Sequence, residues 1–243
     1  MVDFQKRAQR LISEINSRNR IPLLVGGTGL YIKATVHGFI FPEMDTDWAY
    51  RKQCEELAEK KGNLYLHSRL QEIDPETADR LHPNDQRRII RALEVYRATG
   101  KTVSYYKQKA RERPDPYHHL KIGLTASREE IYDRINKRVD RMLKQGLLEE
   151  VKDLITAGYS PELPALQGLG YKELIGYLEG EYDYQEAVRL IKRNTRHFAK
   201  KQLTWFKKEK DVHWFRVDKA KKKDLRQQAG DLITSFLSQR ASP

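Results

Sequence analysis

Cysteine is nearly absent from this 243-residue sequence, with Cys54 the only one. A single thiol supports no intrachain disulfide framework and no cysteine-cluster metal site, so a reducing cytoplasm is the expected compartment. No apolar run approaches the roughly 18–20 residues of a membrane span, and Met1-Val2-Asp3-Phe4 does not read as a signal peptide. The phosphate-loop pattern Gly-x-x-x-x-Gly-Lys-[Ser/Thr] occurs nowhere, and there is no internal repeat or low-complexity tract. Acidic side chains are in the minority: 34 Asp plus Glu face 46 Lys plus Arg, a net charge of +12 with His neutral. With a pI near 9.6, this balance points to a polyanionic partner (RNA, DNA or clustered phosphates), with an anionic membrane surface as the rival. Thirteen tyrosines, three tryptophans and scattered apolar residues exclude a disordered basic tail. The length allows one large domain or two modest ones with a sizeable core.

Phe4, Ala8, Leu11 and Ile15 have helical spacing, predicting an amphipathic helix over 3–18. Ile21-Pro22-Leu23-Leu24-Val25 is a continuous apolar run ending at Gly26-Gly27, which suits a buried strand. A helix is expected from Gly29. Pro42 opens a stretch of different character that runs to Pro114-Asp115-Pro116 and reads as all-helical, over 46–61, 63–73, 84–99 and 102–112. A second strand is expected over His119–Thr125, then helices over 128–145, 147–157, 170–179 and 183–208. Val212–Val217 reads as a third strand before a terminal helix. Strands alternating with helices imply a helix-rich α/β core, residues 1–41 and 115–243, with an inserted helical domain over 42–114.

Gly26-Gly27-Thr28-Gly29-Leu30-Tyr31 joins the first strand to a helix. Glycines there permit tight turning, and a helix start offers N–H groups to an anion; the alternative is a plain turn with Thr28 as the cap. On helix 128–145 the apolar stripe Ile131, Ile135, Val139 and Met142 places Arg138 at the edge of the inward face. A guanidinium there needs an anion, either phosphate oxygens or a structural carboxylate. Gln167-Gly168-Leu169-Gly170-Tyr171-Lys172-Glu173 is another glycine-bearing helix start, where Gln167 either reads a base edge or belongs to a cap.

Helix 183–208 separates Tyr184, Ala187, Val188, Ile191, Phe198 and Phe206 from a nearly opposite stripe of Arg189, Arg193, Arg196, Lys200 and Lys207. Residues 191–210 carry eight Lys or Arg and one Glu, a net +7, with Trp205 offering an aromatic face. Residues 87–113 hold nine Lys or Arg against two Glu, again +7, with Tyr96, Tyr105 and Tyr106 interleaved. Two separated basic patches with aromatics favour an extended polyanion over one small phosphate. His82 precedes the second patch in a turn that Asn84 or Asp85 is expected to cap; it reads as a catalytic or a structural histidine. His118 and His119 show no metal-ligand spacing with other residues.

In their order along the chain, Ile21–Tyr31 (IPLLVGGTGLY), His82–Val95 (HPNDQRRIIRALEV), Ile135–Leu147 (INKRVDRMLKQGL), Gln167–Glu173 (QGLGYKE) and Thr195–Phe206 (TRHFAKKQLTWF) resemble the tRNA dimethylallyltransferase family, also called tRNA isopentenylpyrophosphate transferases. The resemblance implies a P-loop-kinase-like core with a helical insertion that grips the anticodon arm. It implies transfer of a dimethylallyl group from dimethylallyl diphosphate to N6 of the adenosine 3′ to the anticodon, with the base flipped out of its stack. It makes Thr28, near the reaction centre, and Arg138, on the diphosphate, the expected catalytic residues, with Gly26, Gly27, Gly29 and Tyr31 around the substrate. The expected tRNA-facing set is Arg51, Gln86, Arg87, Arg88 and Arg91, then Gln167, Gly168, Gly170, Tyr171 and Lys172, then Arg193, Arg196, Lys200, Lys201, Gln202 and Trp205.

Mg²⁺ is also implied, stabilising the departing diphosphate together with cationic side chains. Its ligands, a phosphate loop and an aspartate general base belong to the family's N-terminal part, which has no counterpart in this sequence. No metal ligand is therefore assigned here. The chain is expected to be an N-terminally incomplete core that is inactive by itself, with tRNA as partner, no membrane, and a monomeric state. A non-catalytic basic RNA-binding module is the alternative. A nucleotide-kinase relative is disfavoured by the two basic patches.

Overall fold

Short-range periodicity governs most of this chain, and the computed structural model, which describes residues 1–238, follows it closely. The chain divides into two units, one spanning Met1–His119 and the other beginning at Leu120. In the first unit α1 (Val2–Ser17) packs with α2 (Gly29–Val36). Its anchor is a polar side chain, Gln5, which is buried and donates through Nε2 to Ala34 O at 2.8 Å and Phe39 O at 2.9 Å. Leu11, expected on the apolar face, is exposed.

Five helices follow: α3 (Trp48–Lys61), α4 (Asn63–Ile73), α5 (Pro75–Ala78), α6 (Gln86–Thr99) and α7 (Val103–Arg111). The short α5 was not expected. Asp74 accepts from Thr77 N at 3.1 Å and Pro75 occupies the first turn, where its missing N–H costs nothing. The other Asp74 oxygen accepts from Ser104 N at 3.1 Å and ties in the start of α7. Burial pushes this carboxyl up, but the bonds from Thr77 and Ser104 outweigh it and hold it below its ordinary value. Cys54, Leu66, Leu70, Ile89 and Leu93 lead the apolar core of this unit. Burial raises the Cys54 thiol, and burial together with the Cys54 contact pushes the Tyr50 hydroxyl up to about 12; this thiol is a packing residue.

The second unit contains β1 (Lys121–Thr125), α8 (Arg128–Lys144), α9 (Leu147–Thr156), α10 (Tyr171–Leu178), α11 (Tyr184–Phe206), β2 (Val212–Arg216) and α12 (Lys222–Ser238). The two strands are parallel, in register from Lys121 opposite Val212 to Thr125 opposite Arg216. A parallel pair requires a long crossover, which α8–α11 supply. Gly123 faces Trp214, and a Cβ at Gly123 would lie 2.6 Å from the indole, so only glycine lets the ring cross the strand. Val139, Leu147, Val151, Leu166, Leu174, Ile175, Ala187 and Ile191 form this unit's core.

The expected strand at Ile21–Val25 does not form. Residues 21–25 have no strand assignment, and Leu23 and Val25 are 80% and 90% exposed. An apolar run becomes a buried strand only beside a ladder partner, and the one sheet among the described residues pairs β1 with β2 alone. The second strand begins at Lys121, so His119 lies outside it. Among the described residues no helix is long and apolar enough to cross a membrane.

Candidate functional site

Thr28 stands at the N-cap of α2, yet its side chain makes no capping bond; only its carbonyl serves the helix, accepting from Tyr31 N at 3.0 Å and Ile32 N at 3.2 Å. Thr28 thus holds the N-cap position of the plain-turn alternative, but its exposed hydroxyl is not consumed by the helix. Gly26 is open, with nothing within 4 Å of where a Cβ would stand. Tyr31, expected beside substrate, stacks on Phe4 with ring centroids 4.4 Å apart.

On α6 the basic residues split into two groups. Glu94 is buried and takes Arg51 on both oxygens, at 3.0 and 2.8 Å, Arg91 at 2.6 Å, and the backbone N–H of Asp47 at 3.0 Å. Burial pushes the Glu94 carboxyl up, but the Arg51 and Arg91 bonds dominate and hold it below its ordinary value. Arg51 and Arg91, expected to face tRNA, both bond Glu94 while their side chains stay 28% and 41% exposed. Arg87 is exposed with no ion pair among the described residues, and Arg88 pairs only with Asp85 at 3.1 Å. Gln86, the first residue of α6, is half-buried. Asp85 is the N-cap position but makes no side-chain cap bond. His82 is exposed, its Nδ1 accepting from Asn84 N at 3.1 Å within the turn.

In the second unit Arg138 corrects an expectation. It is exposed on α8 and makes no hydrogen bond or ion pair among the described residues. The neighbouring Val139 holds the buried position, and a step of about 100° around the helix carries Arg138 off that face. The glycine-bearing start of α10 is built by Glu173, a buried carboxylate that accepts from Gly170 N at 2.8 Å and from Asn194 Nδ2 of α11 at 2.7 Å. Gly170 sits at φ +98°, which requires glycine. Around it, Gln167 donates to Pro161 O at 2.9 Å, Gly168 is close to Ala165 O, Tyr171 donates to Glu150, and Lys172 is exposed.

Along α11 the two expected stripes are only partly realised. Ala187 and Ile191 are buried, whereas Phe198 is 48% exposed. Arg196 turns inward, donating to Asn136 Oδ1 at 2.7 Å with its guanidinium 5.8 Å from the Tyr132 ring centre. Arg193 remains exposed and Gln202 is half-buried. The last turns gather His197, Lys200, Lys201, Thr204, Trp205 and Lys208 around a shallow open hollow. Cations beside an exposed indole can hold phosphate while a base stacks. Sequence reasoning missed Glu94, Glu173, Asn136 and Asn194. The lone Glu inside the apolar stretch of α6 and the Gly170-to-Glu173 capping spacing were the available signals.

The chain is similar to several known proteins. A family model described as IPP transferase matches residues 1–209. A tRNA dimethylallyltransferase of Halothermothrix orenii is 50% identical over 237 residues, covering 98% of this chain and 72% of that one. The solved tRNA isopentenylpyrophosphate transferase of Bacillus halodurans is 39% identical with a TM-score of 0.68, covering 99% of this chain and 74% of the other. A eukaryotic dimethylallyltransferase acting on tRNA is 27% identical with a TM-score of 0.75, covering 97% of this chain and 61% of that one.

Proposed function

The chain belongs to the IPP transferase family, and from that premise we propose that it transfers a dimethylallyl group from dimethylallyl diphosphate to N6 of the adenosine 3′ to the anticodon in tRNA. The observation that carries the reading is the state of two side chains. Thr28 Oγ1 is left over by its own helix, and the Arg138 guanidinium has no carboxylate partner among the described residues, while Arg51, Arg91 and Arg196 are all engaged internally.

In this reading Arg138 receives the diphosphate and Thr28 the target nucleotide. Gly26, Gly27 and Gly29 allow close approach. Arg87, Arg88, Lys200, Lys201 and Trp205 face the tRNA, with the loop from Gln167 to Lys172 held ready by Glu173. Residues 1–41 and 115–243 act as a P-loop-kinase-like core and 42–114 as the insertion on the anticodon arm; the closed apolar cluster running from Cys54 to Leu93 supports an insertion with its own core. A monomer in the cytoplasm suits a tRNA substrate. The phosphate-loop pattern does not occur in the 243 residues, so neither that loop nor a general base is assigned to them. Mg²⁺ takes oxygen ligands, and the donor set that the described residues bring together, two imidazoles and a carboxylate, does not fit it. No step is derived through Mg²⁺.

The test uses the protein expressed from its whole reading frame, labelled dimethylallyl diphosphate, and anticodon-arm RNA with adenosine or guanosine at the target position. Label is expected on the adenosine RNA alone. Arg138→Ala is expected to weaken use of the diphosphate about tenfold or more while RNA affinity stays nearly unchanged. Equal binding of both RNAs with no transfer would overturn the reading in favour of a non-catalytic RNA-binding module.

A further inference from the structure

His37 follows α2, whereas Asp115 and His119 lie between α7 and β1, so 78 residues separate His37 from Asp115. The fold nevertheless brings the three together: each offers one ligand atom, and those atoms lie within 4.8 Å of one another. His37 Nδ1 donates to Asp115, at 2.9 Å from both carboxylate oxygens, and its ring meets that of His119 edge to face at 5.6 Å. His119 is oriented in turn, its Nδ1 donating to Tyr117 O at 3.1 Å. A ring nitrogen bonded to a backbone carbonyl is how proteins usually fix the tautomer of a metal-binding imidazole, making Nε2 the coordinating atom. The two segments are also held close by packing. A Cβ at Gly38 would lie 3.3 Å from the Pro116 ring, and Gly38 has φ +56°.

We propose that His37, Asp115 and His119 form a binding site for a transition-metal dication of the Zn²⁺ class, with water completing its shell. The chemistry selects the ion. Two imidazole nitrogens and one carboxylate oxygen suit Zn²⁺, Co²⁺ or Ni²⁺ and are poor ligands for Mg²⁺ or Ca²⁺. Metal–ligand bonds of about 2.0–2.2 Å place tetrahedral ligand atoms roughly 3.3–3.6 Å apart, so adjustments of about 1 Å close the site. Its place in the chain gives it a role. The ion clips the segment entering the helical stretch of residues 42–114 to the segment leaving it. An ion that binds the folded chain and not the open one stabilises that closure. The proposal does not depend on the transfer reaction.

The experiment takes the metal-stripped full chain and titrates ZnCl₂ by calorimetry and CoCl₂ by visible absorption. One Zn²⁺ per chain is expected, with a four-coordinate Co²⁺ spectrum that excess Zn²⁺ removes and excess Mg²⁺ does not, and a melting temperature that rises with Zn²⁺. His119→Ala and Asp115→Asn are each expected to weaken Zn²⁺ by about a hundredfold and to abolish the thermal shift, Asp115→Asn keeping the side-chain size. His213→Ala, which removes an exposed imidazole on β2, is expected to leave binding unchanged. Absence of saturable Zn²⁺ binding, a purely six-coordinate Co²⁺ spectrum, or an isotherm that His119→Ala and Asp115→Asn do not alter would overturn the proposal.

Discussion

Arg51 grips Glu94 with two parallel bonds, Nε to Oε1 at 3.0 Å and Nη2 to Oε2 at 2.8 Å, across 43 residues of chain. The carboxylate is 1% exposed and the guanidinium 28%, so the pair is buried on one side only. Removing one partner of a fully buried pair costs roughly 3–5 kcal/mol; with Arg51 and Arg91 partly in water, about 2 kcal/mol is expected for Glu94→Gln. Urea unfolding at neutral pH measures it. The same variant has a pH signature. Glu94 is held below its ordinary value of 4.5, so the folded chain resists protonating it more than the unfolded chain does. The stability it contributes is complete above that ordinary value and is lost as the pH falls through the depressed one. Glu94→Gln is therefore expected to flatten the fall of the urea midpoint as the pH drops below 4.5.

Gly26 and Gly176 separate two reasons for a glycine. A Cβ at Gly176 would meet Tyr182, whose hydroxyl donates to Glu173 O at 3.0 Å, and would lie 2.7 Å from Glu181 Oε2. Gly176→Ala is expected to cost about 1–3 kcal/mol through this overpacking, read by thermal melting. Gly26 has nothing within 4 Å and no positive φ, so Gly26→Ala is expected to leave melting unchanged within about 0.5 kcal/mol. Prenyl transfer by the same variant is expected to fall about tenfold, because the added methyl occupies the space into which substrate approaches. Unchanged transfer would remove Gly26 from the substrate site.

Lys200 and Lys201 flank the hollow at Trp205 and have no ion pair among the described residues. Replacing both by Gln is expected to lower the slope of log binding constant against log salt by roughly two, about one for each phosphate that a lysine ammonium neutralises. Trp205→Ala is expected to weaken RNA binding by about 1–3 kcal/mol with the slope unchanged, since stacking releases no counterions. Arg196→Gln acts differently: its guanidinium serves Asn136 and Tyr132, so its principal effect is expected on melting temperature. Titrations at several salt concentrations distinguish the three.

Helix positions, the basic character of the surface and the family resemblance are legible in the sequence by itself. The first depends on residues three or four apart, the second on composition and the third on the order of short motifs, and those signals survive without knowledge of partners. Twelve helices form among the described residues, and only the four-residue α5 lay outside what periodicity anticipated. Tertiary structure alone decided which charges are in service and which are available. Arg51, expected to face RNA, also holds Glu94. Arg138 was expected to face inward and is exposed. Arg196 was expected in the basic stripe and is bonded to Asn136. His37, Asp115 and His119 have no readable spacing, yet they converge. The physical reason is common to Arg51, Arg196 and His37. A buried or clustered polar group is defined by the partner that satisfies it, and that partner lies 43, 60 or 78 residues away, beyond the reach of any local pattern.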